Sequence, residues 1–212
     1  MLFCDKYIKN LMKRITILVA VYFCISMTYS QTSEEFYNSA KDKQQNGDSR
    51  GALQDFNMAI ELNPKLSKAY GDRGFVKDEI GDYNGAMSDY NKAIELAPDY
   101  SEAYNNRGVT KKKMGSYKDA ILDYNKAILL NPMYEAAYNN RGIANIKLGD
   151  RKGAILDFNK AIELNSNYAK AYNNRGNAKH ELGDKEGACI DWSKALKLGQ
   201  KEAAEAIMRY CK

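Results

Sequence analysis

The side chains able to do chemistry in this 212-residue chain are few in kind and regular in spacing. His180 is the only histidine, so no multi-histidine metal centre can form, and two cysteines spaced as Cys189 and Cys211 are make no zinc site. Asp and Glu are plentiful, and a close pair could do general acid and base work. The recurring carboxylates, however, fall at helix-capping or ion-pairing positions. The glycines recur at helix-stop and packing positions rather than in a phosphate-cradling loop, and no serine-nucleophile motif is present. These residues predict no enzyme, no cofactor and no metal. The recurring amides instead suit binding, because each carboxamide carries both donors and an acceptor and can hold an extended backbone without reading its sequence.

The elements that carry these residues repeat every 34 positions. Phe36, Tyr70, Tyr104, Tyr138 and Tyr172 form one column, followed four places on by Ala40, Gly74, Gly108, Gly142 and Gly176. The turn column is Gly47, Gly81, Gly115, Gly149 and Gly183, and Asp48, Asp82, Ser116, Asp150 and Asp184 follow as N-cap candidates. Ala52, Ala86, Ala120, Ala154 and Ala188 come next. Phe56, Tyr90, Tyr124, Phe158 and Trp192 then precede Ala59, Ala93, Ala127, Ala161 and Ala195. Spacings of 4 and 7 are helical, so each unit is two helices. Small residues opposite large aromatics predict close helix approach, and units that cannot bury their apolar faces alone must stack.

Five units result, at 33–66, 67–100, 101–134, 135–168 and 169–200, with a short capping helix over 201–212. The pattern resembles the tetratricopeptide repeat family, as in AYNNRGVTKKKMGSYKDAILDYNKAILLNP from Ala103 to Pro132. The resemblance covers residues 33 to about 200. It implies an all-α, right-handed superhelical solenoid that binds a protein or peptide in a concave groove. The chain departs from the family in lacking the closing Pro of the last two units, where Ser166 and Gln200 stand, and in a column of Arg where an apolar residue is usual.

That column, Arg73, Arg107, Arg141 and Arg175, lies beside core aromatics, as does an Asp column of Asp55, Asp89, Asp123, Asp157 and Asp191. Unpaired charges there would be strongly unfavourable. Pairing each Asp with the Arg of the following unit leaves none over, because Ser39 opens the Arg column and Arg209 extends it past the last unit. The expectation is inter-unit bridges Asp55–Arg73, Asp89–Arg107, Asp123–Arg141, Asp157–Arg175 and Asp191–Arg209.

Groove candidates are Asn38, Asp72, Asn106, Asn140 and Asn174, with Asn105, Asn139 and Asn173 immediately before the last three. Some tetratricopeptide proteins grip a peptide backbone with such an asparagine ladder, and the resemblance implies the same here; local bonding to the neighbouring helix is the alternative. The family's carboxylate clamp is matched in part, by Lys170, Asn174 and Asn177, while Phe75, Val109 and Ile143 offer an apolar floor. Cys189 lies 10 residues before Gly199 and Cys211 lies 12 after it, so antiparallel helices folded there bring the sulfurs level. A disulfide is expected, with two buried thiols as the alternative.

Lys13 and Arg14 precede an apolar run from Ile15 to Met27, then small or polar residues to Ser30. This is a signal-peptide layout over 1–30, with Met12 a natural start, and the run is too short for a stable membrane span. The protein is expected to be exported, periplasmic or secreted; bulky Phe23 argues against a lipid anchor on Cys24. The first 30 residues hold Lys6, Lys9, Lys13, Arg14 and Asp5, which leaves 28 basic and 26 acidic residues of the chain's 32 and 27. So small a net charge, together with export, argues against nucleic acid as partner. A structural or spacer role in an envelope complex, with no groove ligand, is the alternative function, and oligomeric state is left open.

Overall fold

The structure, a computed structural model, describes residues 32–211. Eleven helices follow in order among them: α1 (Ser33–Gln45), α2 (Ser49–Leu62), α3 (Ser67–Glu79), α4 (Tyr83–Leu96), α5 (Ser101–Lys113), α6 (Tyr117–Leu130), α7 (Glu135–Lys147), α8 (Arg151–Leu164), α9 (Ala169–Glu181), α10 (Lys185–Lys197) and α11 (Ala203–Tyr210). Odd-numbered helices from α1 to α9 form the inner layer and even-numbered helices from α2 to α10 the outer. Each packs on its immediate neighbours, giving an all-α solenoid.

Local chemistry sets the helix ends. The turn glycines Gly47 to Gly183 all take φ between 80° and 88°, the left-handed region that lets a helix stop without a Cβ clash. Asp48, Asp82, Asp150 and Asp184 then cap the outer helices, each side chain accepting from the backbone N–H three residues on. Ser116 makes no such bond. Among the inner helices only α1 has a capped start, a reciprocal box between Thr32 and Glu35.

The core is built from alanines and one aromatic per unit. Phe56, Tyr90, Tyr124, Phe158 and Trp192 are fully buried, and from the second unit on each lies against the mid-helix glycine of its own unit. A Cβ on Gly142 would fall 2.6 Å from the Phe158 ring, and one on Gly108 2.7 Å from Tyr124. The helix-propensity cost of these glycines, about 1 kcal/mol each relative to Ala, is offset by this ring contact. Tyr70, Tyr104, Tyr138 and Tyr172 are only half-buried, and each carries the guanidinium of the Arg three residues on over its face.

The Arg and Asp columns pair, but within units rather than between them. Arg73 binds Asp89, Arg107 binds Asp123, Arg141 binds Asp157 and Arg175 binds Asp191, in each case through Nε and Nη2. The expected bridges Asp55–Arg73, Asp89–Arg107, Asp123–Arg141, Asp157–Arg175 and Asp191–Arg209 do not form. The reason is geometric. Arg73 lies eight residues before Gly81 and Asp89 eight after it, so the two stand level across the tight turn of one helical hairpin. Asp55 needs no following Arg because Ser39 and Lys43, one turn apart on α1, both bond it. Arg209 instead lies over the ring of Tyr210.

The free Nη1 of each Arg reaches back across the seam to the preceding unit, where Asn57, Asn91, Asn125 and Asn159 accept at 2.7 Å. The Arg column therefore does join units, through a neutral acceptor. Charged links cross seams as well: buried Asp78 on α3 accepts from Thr110 Oγ1 at 2.7 Å and from Lys113 on α5, Lys41 on α1 pairs with Asp72 on α3, and Arg151 on α8 pairs with Glu181 on α9.

At the C-terminal end α11 lays Ala203 and Ile207 on Ala188, Trp192 and Ala195. Cys189 and Cys211 are joined by a disulfide, their Cα atoms 5.7 Å apart. His180, Trp192 and Tyr210 form a three-ring cluster, with His180 at centroid distances of 5.6 Å from Trp192 and 4.2 Å from Tyr210, and the latter two 5.9 Å apart. The signal-peptide segment, with Cys24 and Met12, lies outside the described residues; among these, no helix is long and apolar enough to cross a membrane.

Candidate functional site: the concave face

Two adjoining hollows on the inner layer, over α5, α7 and α9, bring most of the sequence candidates together. The first is a depression of ≈ 360 Å³ lined by Lys112, Asn139, Asn140, Ile143, Tyr168, Lys170, Asn173, Asn174 and Gln200. The second is a narrower slot of ≈ 140 Å³ between α7 and α9. Ile143, Ile146, Phe158 and Ala178 make its apolar wall, and Asn174, Asn177, Lys147 and Glu181 its polar rim. Ile143 and Asn174 belong to both.

The asparagines divide by face. Asn105 and Asn139 are buried in the seams, where Asn105 Oδ1 accepts from Asn140 Nδ2 at 3.0 Å and Asn139 Oδ1 accepts from Asn174 Nδ2 at 2.9 Å. Asn106 and Asn140, which follow them, and Asn174, which follows half-buried Asn173, are half-buried at the groove surface. The amides thus bond one another across successive units; Asn140 and Asn174 each retain a carbonyl and an N–H for another partner, whereas Asn106 Oδ1 accepts from Asn105 Nδ2 at 3.2 Å. Asn177 accepts from Trp192 Nε1 at 2.9 Å. In the first units the same register is filled differently: the Tyr37 hydroxyl donates to Asp72 at 2.8 Å, and Lys41 pairs with Asp72 at 3.2 Å. Asn38 is exposed away from both hollows. A separate, shallower hollow of ≈ 560 Å³ lies there, among Tyr37, Lys41, Lys68, Asp72, Asp99, Tyr100 and Glu102. Gly71 lets the Tyr100 ring lie against the backbone, since a Cβ would come within 2.9 Å of it.

Lys112 is the group the repeat pattern does not reveal. It stands in a column that reads Gln44, Asp78, Lys112, Ile146 and His180, so no residue type recurs to mark it. Burial pushes its ammonium pKa down, as does neighbouring Lys113, while Asp78 pulls the other way. Lys113 and Thr110 already occupy the Asp78 carboxylate. Lys112 is thus a partly desolvated cation facing the depression beside Lys170. An anionic group placed between the two lysines would recover the lost solvation of Lys112 and could bond the Asn140 and Asn174 amides.

Models of the "TPR repeat" match residues 79–115 and 145–183, and "Tetratricopeptide repeat" models match 101–134 and 169–198. Among curated proteins no relative matches the chain. Of solved structures, a crystal structure of MamA protein is 25% identical, covering 81% of this chain and 94% of its own, at a TM-score of 0.66. YrrB, described as a TPR protein with an unusual peptide-binding site, is 20% identical over 87% of this chain and 96% of its own, at 0.65. PilF of Pseudomonas aeruginosa is 18% identical over 79% and 76%, at 0.74. Repeats of this kind make protein-interaction scaffolds, typically without catalysis. The matched segments together span residues 79–134 and 145–198, and the chain belongs to the tetratricopeptide repeat family.

Proposed function

We propose that the chain is an exported, non-catalytic scaffold that holds an extended segment of a partner protein along its concave face, principally over α5, α7 and α9. The observation that carries this reading is the slot beside the lysine-flanked depression, sharing Ile143 and Asn174. The slot suits one apolar side chain, and Lys112 with Lys170 suits a carboxylate next to it. The segment gripped is therefore an aliphatic residue neighbouring an acidic group, with its backbone bonded to Asn140 and Asn174. The peptide site named for YrrB is a precedent in a structure of like fold. Export rests on the layout of residues 1–30 and accords with a disulfide in the folded chain.

The test uses Ile143→Ser combined with Lys112→Glu and Lys170→Glu, substitutions that leave the Asn105–Asn140 and Asn139–Asn174 bonds in place. Partners cross-linked to the protein in envelope extract are expected to be lost with this variant while its circular dichroism is unchanged. Equal recovery of the same partners would refute the groove. Fractionation of cells expressing the whole chain, with N-terminal sequencing, is expected to find the protein outside the cytoplasm beginning at Gln31.

A further inference from the structure

The outer layer carries an apolar stripe that packing does not require. Leu122 on α6, Leu156 on α8 and Ile190 on α10 occupy one repeat column and are 65%, 70% and 63% exposed. In the first two units the same column holds Gln54 and Ser88. A solvated column in a repeat protein is free to be polar, and here it becomes aliphatic only in the last three units. Exposed apolar side chains rimmed by charge and recurring along one face mark interaction sites.

Lysines frame the stripe. Lys118 and Lys126 flank Leu122 at four residues either side, and Lys152 and Lys160 flank Leu156 in the same way, Lys160 being paired with Glu163; Ile190 has Lys194 one turn after it and Glu186 one turn before. The small net charge of the chain conceals a division along its length. Residues 32–100 hold 8 Lys and Arg against 13 Asp and Glu, whereas residues 101–212 hold 20 against 13. The acidic end also has an outward apolar patch: Met58 and Leu62 on α2 are 39% and 52% exposed, beside exposed Glu61, with exposed Glu95 in the Glu61 column on α4, where it pairs with Lys92 at 2.7 Å through one of its two oxygens.

We infer that the outer face is a self-association surface whose occupant is a second copy of this chain. The chain itself supplies the complementary charge, and the two patches sit on the same layer at opposite ends. An antiparallel, back-to-back pairing places the lysine-framed stripe of each copy over Met58, Glu61, Leu62 and Glu95 of the other. The same stripe-on-patch contact forms twice and leaves neither patch free, so the pairing closes as a two-fold dimer rather than running on as a filament. The inference is independent of the groove, which lies on the opposite layer and stays open in the dimer.

Sedimentation velocity of the purified protein tests this. A dimer is expected, with its dissociation constant rising about tenfold or more as salt is raised from about 50 mM to about 500 mM, because exposed charges are screened. The triple variant L122S, L156S, I190S is expected to be monomeric. A quadruple variant K118E, K126E, K152E, K160E and a double variant E61K, E95K are each expected to be monomeric alone and to form a heterodimer when mixed. All these side chains are on the surface, so unchanged circular dichroism checks folding. A monomer at every salt concentration, a dimer indifferent to the triple variant, or failure of the exchanged-charge pair to associate would overturn the inference. Flotation of a monomeric protein with vesicles rich in anionic phospholipid would assign the stripe to a lipid surface instead.

Discussion

Removing the Asp123 carboxylate separates within-unit from between-unit pairing by energy. Its side chain is only 5% exposed and receives two charged hydrogen bonds, from Arg107 Nε at 3.0 Å and Arg107 Nη2 at 2.6 Å, with Lys111 as a second ion-pair partner at 2.7 Å. Asp123→Ala leaves both cations facing a shell with no anion and is expected to cost about 3 to 5 kcal/mol, or roughly 10 °C in melting temperature for a chain of this size. Arg107→Ala costs less, because Lys111 still holds the carboxylate. A double-mutant cycle on Arg107 and Asp123 is expected to give a coupling of about 2 kcal/mol, the scale of a charged hydrogen bond. A cycle on Asp123 and Arg141, which do not touch, is expected to stay within about 0.5 kcal/mol. Urea titration followed by circular dichroism reads both. A coupling in the second cycle as large as in the first would refute the assignment.

Four further outcomes follow from the packing. Tyr124 has a fully buried hydroxyl with no partner among the described residues, so Tyr124→Phe is expected to be neutral or to stabilise by up to about 1 kcal/mol in urea. Gly142→Ala gains helix propensity of about 1 kcal/mol, yet its Cβ would sit 2.6 Å from Phe158, so a net loss of about 1 to 2 kcal/mol is expected by the same assay. Reducing Cys189–Cys211, which closes 22 residues, is expected to lower stability by about 3 kcal/mol on loop-entropy grounds, read as a melting shift with and without reductant. Burial raises the Asp55 pKa, but hydrogen bonds from Lys43 and Ser39 outweigh it and hold the carboxyl below its ordinary value. A depressed carboxylate contributes stability that is present above its unfolded pKa and lost as pH falls through the folded value. Asp55→Asn is therefore expected to flatten the acid limb of a pH–stability profile and leave the alkaline limb alone.

The repeat made the architecture legible, because five concordant columns of Gly, Ala and aromatic residues leave one way to pair and stack helices. The level crossing of Cys189 and Cys211 about Gly199 was legible for the same reason. The Arg and Asp partners were not. Asp55 and Arg73 are as symmetric about Pro64 as Arg73 and Asp89 are about Gly81, so spacing alone leaves a tie. Matching Arg against Asp by number does not break the tie correctly, because Lys43 serves as the cation for Asp55. The asparagines were half legible: the column was found, but that Asn105 and Asn139 turn into the seam while Asn140 and Asn174 meet the groove depends on helix rotation of a single residue. Lys112 escaped because periodicity finds what recurs, and its column holds five different residue types.

The disulfide gives the solenoid a direction of failure. Energy in a stacked array is held between neighbours, so unravelling begins at an end and travels unit by unit. One end has α11 stapled over Trp192, whereas at the other α1 is held by its capping box, the Ser39 and Lys43 bonds and the Tyr37–Asp72 link to the next unit. Heat, tension or a processive unfoldase should therefore peel the molecule from its N-terminal unit. The concave hollows over α5, α7 and α9, near the stapled end, would be among the last surfaces to lose their shape.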